Sequence, residues 1–202
     1  MKPTGNRIFD QVNQIIVDDS CTMNTLCISF PYEYASGVIN LNWHDIIFAI
    51  THGFLDHRAA IEHAQIELGN DDYPQTVLDL ACVSRDESIF PHSISPYIDE
   101  LAAMVDEKRR GQSEERVMYI LLKWVYEHGA CIDDPYYDDP LNVAESIFHD
   151  FGFPDSIIKF AAWRYNPTNE PDLGSNKKNT ARLFDYWNKF LVKQQSLWSH
   201  KG

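Results

Sequence analysis

Apolar residues recur along most of this chain at intervals of three and four, the spacing that gathers them on one face of an α-helix. The stretch "GNRIFDQVNQIIVDD" puts Ile8, Phe9, Val12, Ile15 and Ile16 on one side and predicts a first helix. "TLCISF" departs from this pattern. Leu26, Ile28 and Phe30 alternate there, predicting a short strand or extended segment near residues 25–30, ended by Pro31 and "EYASG". Helical spacing then resumes with frequent punctuation. Asn42 precedes "WHDIIFAIT", and Gly53 falls where a helix C-terminus belongs. Asp56 opens "HRAAIEHAQIEL" and Gly69 closes it. Pro74 suits the first position of "PQTVLDLAC", where a missing N–H costs nothing. Ser95-Pro96 starts "YIDELAAMVDEKRR", acidic early and basic late as the helix dipole favours, with Gly111 as the stop. Ser113 opens "EERVMYILLKWVYEH" and Gly129 ends it. Asp139-Pro140 begins "LNVAESIFHDF", and Pro154 begins "DSIIKFAAWRY". The last helix, "TARLFDYWNKFLVKQQSLW", follows a polar loop.

These segments predict an all-α fold of about eight or nine helices, joined mostly by short connections into antiparallel hairpins. Met23 offers an alternative start, so residues 1–22 are expected to be an N-terminal helical appendage. Residues 23–202 are expected to form one compact domain ending in a basic helix. No window reaches twenty uninterrupted apolar residues, and the N-terminus lacks the apolar run of a secretory signal. A cytoplasmic chain with no membrane partner is the expectation. Cys21, Cys27, Cys82 and Cys131 form no CxxC pair, which predicts reduced, partly buried thiols.

Charge adds a constraint on partners. The chain carries a formal net charge of −13, unevenly placed: residues 1–155 hold 27 acids and 9 bases, residues 156–202 hold 3 acids and 8 bases. A field of that sign repels phosphate backbones and hastens encounter with cationic partners. Direct nucleic-acid binding is therefore not expected. The sharpest concentration is "CIDDPYYDDP", where Tyr136 and Tyr137 sit between two Asp-Asp pairs. Tyrosine supplies broad contact at low entropic cost, and carboxylates around it pair with arginine and lysine. Asp133, Asp134, Tyr136, Tyr137 and Asp138 are accordingly the predicted partner-binding residues, with the first two and Asp138 exposed. The acidic segments Glu62–Asp79 and Asp99–Glu107 offer further candidate surface.

Candidate catalysis is thin. His44-Asp45 and His149-Asp150 are dipeptides of the kind that helical metal-dependent phosphohydrolases use. The second gives an alternative reading with His128, His149, Asp150 and Asp185 holding a divalent metal. In "DHRAAIEHAQIE" the histidines His57 and His63 lie six apart and face different sides, so His57, Glu62, His63 and Glu67 read as surface polar residues. "DDPYYDDPLNVAE" has two prolines and no glycine, which disfavours a calcium loop. No glycine-rich phosphate loop and no GxSxG elbow occurs. No catalytic residue, metal or cofactor is therefore predicted. Asp139 reads as the N-cap before Pro140, and Asp150, at the unfavourable end of its helix, is expected to hydrogen-bond the N–H groups of the helix opening at Pro154.

"DPLNVAESIFHDFGFPDSI", with Asp139, Pro140, Leu141, Glu145, Phe148, Asp150, Phe151, Phe153 and Pro154, resembles a motif of a bacterial helical family of unassigned biochemical function. That family is met among the immunity proteins of polymorphic and contact-dependent toxin systems. "NLNWHDIIFAITHGFLD", with Trp43, Gly53 and Asp56, is similar to the family's early helix hairpin, and the resemblance spans Leu41 to Pro167. It implies structural roles for Asp139, Pro140, Glu145, Asp150 and Pro154. It further implies a protein that binds a cognate toxin, of the basic nuclease kind, and occludes its active or substrate-binding surface. A helical adaptor or scaffold is the remaining alternative.

Overall fold

A computed structural model describes residues 23–70, 72–84, 91–130, 132–153 and 173–198. The helix expected within residues 1–22, the helix expected to open at Pro154, and Cys21 and Cys131 lie outside the described residues. The described chain is all-α, with no strand among these residues. Its helices are α1 Tyr32–Val38, α2 Trp43–Thr51, α3 Arg58–Glu67, α4 Gln75–Ala81, α5 Pro91–Ala103, α6 Glu107–Arg110, α7 Ser113–His128, α8 Pro140–Asp150 and α9 Asn176–Trp198. A 3-10 turn, Pro135–Asp138, lies between α7 and α8.

Helix α7 is the axis of the packing. Arg116, Val117, Met118, Tyr119, Ile120, Leu121, Leu122 and Val125 are all buried, so almost the whole circumference is covered. A helix buried around its circumference over that stretch must be enclosed by others, and α2, α8 and α9 each pack against α7. α5 packs on α2, and α3 and α4 form a pair beside it, with α4 also touching α5. The buried apolar residues from Ile28 to Trp198 form one contiguous core.

The ends of α2 show how sequence sets the boundaries. Asn42 accepts from the backbone N–H of His44 (2.8 Å) and Asp45 (3.1 Å), while Asp45 accepts from Asn42 N–H (2.9 Å), closing a reciprocal capping box. At the other end Gly53 adopts φ 72°, open to glycine at little cost. Leu26–Phe30 has the predicted alternation, with Ile28 and Phe30 buried and Thr25, Cys27 and Ser29 exposed. It is not extended throughout: it opens in a turn, with Cys27 at φ 51° and its N–H bonded to Asn24 O at 3.0 Å. It finds no ladder partner among the described residues. Asn24 holds it instead: its side-chain oxygen accepts from Ile28 N–H, and its amide donates to Ile28 O and His52 O.

Several boundaries differ from the sequence expectation: α1 forms over "YEYASGV", where a break is expected, and α9 begins at Asn176, within the expected polar loop. Pro74 has extended ψ (151°) and precedes α4 as its cap rather than entering it. α5 begins at Pro91 and runs through Pro96, giving up one backbone hydrogen bond within a helix otherwise held by core contacts through Ile94, Ile98 and Leu101. The helix expected to continue to Arg110 stops at Ala103, because Asp106 takes the extended conformation of an N-cap and accepts from Arg109 N–H at 3.0 Å. Arg110 then folds back, its guanidinium donating to Val105 O and Ala103 O, and so satisfies carbonyls freed by the break. The expectation of partly buried thiols also fails for the two described: Cys27 and Cys82 are free and exposed. Cys27 sits exposed in the turn that opens the Leu26–Phe30 segment, and Cys82 caps the open end of α4.

One buried ion pair joins these parts. Asp45, fully buried in the first turn of α2, accepts from Arg116 Nε on α7 at 3.0 Å. The same guanidinium donates to Asn40 O and lies 5.2 Å over the ring of Trp198 on α9. Removing one member strands the other charge in the interior, at a cost of about 3–5 kcal/mol, whereas replacing both can restore much of the loss. Urea unfolding should therefore show Arg116→Met destabilised by about that amount. The double variant Asp45→Asn/Arg116→Met should recover part of it; equal destabilisation of single and double variants would show that the pair is not what couples α2 to α7.

Candidate functional site

The run from Ala130 to Asp139 connects α7 to α8, and its own residues give it shape. Gly129 leaves α7 at φ 74°, and Gly129 N–H bonds back to Val125 O. Asp134 then accepts from Tyr136 N–H at 2.8 Å, opening the 3-10 turn that Pro135 pre-sets. Asp139 accepts from Leu141 N–H at 3.0 Å as the N-cap of α8, with Pro140 in its first position, as the sequence predicts. Asn142 on α8 donates to Tyr136 O, tying the turn to the helix.

This organisation splits the predicted binding residues. Ile132 and Tyr137 are half-buried and pack on the core, anchoring the loop. Asp133, Asp134 and Asp138 are exposed, and Tyr136 stands 55% exposed between them, its ring edge-on to Tyr137 at 5.1 Å. The loop thus presents one aromatic ring among carboxylates from a backbone fixed by caps. Asp134 serves twice, since its side chain also shapes the turn. Asp139 is exposed as well, with one oxygen used by the cap.

The rest of the predicted structural motif behaves unevenly. Leu141, Phe148 and Phe151 are in the core, Glu145 is half-buried, Phe153 is 38% exposed, and Pro154 lies outside the described residues. α8 ends with Gly152 at φ 65° and Phe153 at φ 52°, Phe153 N–H reaching Phe148 O at 2.9 Å. The helix expected to open at Pro154, and with it the expected bond from Asp150, lies outside the described residues. The Asp150 carboxylate accepts from Thr25 N–H (2.9 Å) and from Thr25 Oγ1 (3.0 and 2.9 Å), fastening the start of the described chain to α8.

The four residues of the phosphohydrolase alternative occupy separate local settings. His128 stacks on Trp124 at 4.0 Å and meets Tyr34 edge-on at 5.4 Å. His149 is exposed beside Phe153, Asp150 holds Thr25, and Asp185 pairs with Lys189 one turn along α9 at 2.5 Å. Among the described residues no three His, Cys, Asp or Glu side chains gather as a metal group. In the first His-Asp dipeptide the aspartate is structural, since Asp45 belongs to the capping box and to the ion pair with Arg116.

The sequence expectation fails for one titratable network. His57 and Glu62 are indeed half-exposed or exposed, but His63 is only 5% exposed. Tyr32 Oη lies 2.8 Å from His63 Nδ1, His63 Nε2 lies 3.5 Å from Glu67, and Trp43 Nε1 donates to Glu67 at 3.0 Å. Burial depresses the His63 pKa to about 4, so the imidazole is neutral at pH 7 and its contact with Glu67 is not an ion pair. The network braces α1, α2 and α3; a helical face that reads as polar in sequence turns inward because Tyr32 and Trp43 supply partners from elsewhere.

Residues 32–195 match the model of a family described as "Uncharacterized protein conserved in bacteria (DUF2247)", and the chain belongs to that family. The match runs beyond the Leu41–Pro167 span of the resemblance at both ends, and the description names no activity, toxin or immunity role. No curated protein and no solved structure matches the chain.

His63 gives this region a pH signature. A histidine with a folded-state pKa below its unfolded value stabilises fully above about 6.5, and that contribution is lost as pH falls through about 4. Between those values the fold should lose about 3 kcal/mol through this residue. Urea midpoints measured across the window should fall less steeply for His63→Gln than for the unaltered chain. Parallel slopes would remove His63 as the cause.

Proposed function

We propose that this family member is an immunity protein that captures a cationic toxin domain through the Asp133–Asp138 loop and covers the toxin's active or substrate-binding surface. The reading rests above all on the pre-ordered turn that holds Tyr136 outward among Asp133, Asp134 and Asp138. A loop already fixed by caps at Asp134 and Asp139 and anchored by Tyr137 spends little entropy on binding. The exposed ring is suited to enter a partner pocket, and the carboxylates to meet the arginines and lysines around a phosphate-binding cleft. The formal charge of −13 supplies long-range attraction to such a partner. The resemblance of Asp139–Pro154 to a motif met among immunity proteins suggests the class of partner.

Mechanism in this reading is occlusion. The loop fills the basic cleft in place of nucleic acid, and electrostatic steering makes association fast. Remote carboxylates act on the association rate, and Tyr136 acts on dissociation.

Co-expression of the chain with the product of the gene adjacent to its own should protect cells from that product, and the two should copurify. Asp133→Asn/Asp138→Asn avoids the capping oxygens of Asp134 and Asp139; it should slow association and flatten its dependence on ionic strength. Tyr136→Ala should weaken the complex by about 2 kcal/mol, chiefly through faster dissociation. Tight binding indifferent to salt and to all three substitutions would place the interface elsewhere, and absence of any complex would end the immunity reading.

A further inference from the structure

The short basic helix α6 borders an open cavity of about 270 Å³, lined also by the Asn40–Asn42 segment, by Gln112 and by Arg116 of α7. We propose that this cavity binds a small oxyanion, a phosphate or a compact carboxylate.

The local charge runs against that of the chain. Lys108, Arg109, Arg110 and Arg116 place four of the 17 basic residues within nine positions of an acidic protein. Three of them, Lys108, Arg109 and Arg116, line the cavity. Asp45 offsets Arg116 and Asp106 offsets Arg109, so Lys108 supplies the unpaired positive charge among the lining residues.

The hydrogen-bonding capacity is equally one-sided. Arg116 is only 7% exposed, and its orientation is set from behind by Asp45 and Trp198. A guanidinium has about five N–H donors in a rigid fork. Nε serves Asp45 and one Nη2 hydrogen serves Asn40 O, which leaves donors with no acceptor among the described residues. Asn42 spends its side-chain oxygen on the capping of α2 and keeps its amide N–H groups to give. The Gln112 side chain makes no capping bond to α7, and Lys108 has no ion pair or hydrogen bond from its side chain among the described residues. The one carboxylate among the lining residues described, Asp106, is already engaged twice by Arg109, through its backbone N–H at 3.0 Å and its Nε at 3.4 Å. Donors without acceptors around a positive centre define an anion site.

Size narrows the ligand. Drug-sized ligands occupy pockets of roughly 300–1,000 Å³, and this cavity lies just below that range. Inorganic phosphate, a small organic phosphate or a short dicarboxylate fits that volume. Such a ligand bridges α6, α7 and the segment leading into α2, and so reports on the same junction that the Asp45–Arg116 pair holds together. The site shares no residue with the Asp133–Asp138 loop and does not depend on the immunity reading.

Calorimetric titration of the full chain with sodium phosphate and, separately, with sodium malonate at constant ionic strength tests the site. At least one titrant should bind saturably and raise the melting temperature. The preferred titrant assigns the ligand as phosphoryl or carboxylate. Lys108→Ala and Gln112→Ala alter side chains outside the core and should keep the helical circular dichroism of the parent. Lys108→Ala should weaken binding by about tenfold or more, because it removes a charge-assisted hydrogen bond. Saturable binding of neither anion, or affinity unchanged in Lys108→Ala, would overturn the proposal.

Discussion

The contact between Asp45 and Arg116 holds the architecture at its most vulnerable point. A carboxylate with no exposed surface stands in the first turn of α2, and the arginine that neutralises it comes from α7, 71 residues later. The arginine also lies against the Trp198 ring and gives a hydrogen bond to Asn40 O, so one side chain joins α2, its approach segment, α7 and α9. Burying two charges is costly unless geometry and partners are good. Here the capping box orients the carboxylate towards the arginine, and the indole covers the guanidinium face. The same fixation leaves the free side of Arg116 facing a cavity rather than folded away.

Around that junction the molecule divides its acidic residues by use. Asp45, Asp106, Asp139 and Asp150 hold backbone: they cap α2, α6 and α8, or fasten Thr25 to the end of α8. Asp133 and Asp138 stand exposed on a turn whose shape is set by its neighbours. An acidic composition alone says little about function, because solvation explains it equally well. A rigid acidic turn with an outward tyrosine is a narrower object, and it separates a surface suited to a cationic partner from one that is merely well solvated.

Local chemistry was legible in the sequence. Asn42, Gly53, Gly129 and the Asp139-Pro140 pair each act within a few residues, and each ends or starts a helix where the sequence says. The alternation of Ile28 and Phe30 gave the inward positions of this segment, although it opens in a turn at Cys27 and Asn24, not a neighbouring strand, holds it. What escaped depends on distant residues. His63 reads as surface until Tyr32 and Trp43 are brought to it. Asp150 finds Thr25 across 125 positions. The break between α5 and α6 turns on whether Asp106 continues a helix or caps a new one, and Arg110 decides it by returning to Ala103 O and Val105 O. The exposed turn at Asp133–Asp138 was visible as composition, but its division into anchor (Tyr137) and presented ring (Tyr136) was not, because alternation within a 3-10 turn depends on which side the core lies.

Whether this pre-ordered turn is the surface that meets the partner can be read directly by hydrogen–deuterium exchange, on the chain alone and in complex with the product of the adjacent gene. Protection on binding should concentrate in peptides covering Asp133–Asp138 and the first turn of α8, with the turn already slow to exchange when free. Protection centred instead on Glu62–Asp79 or Asp99–Glu107, with the turn unchanged, would contradict a binding role for the turn.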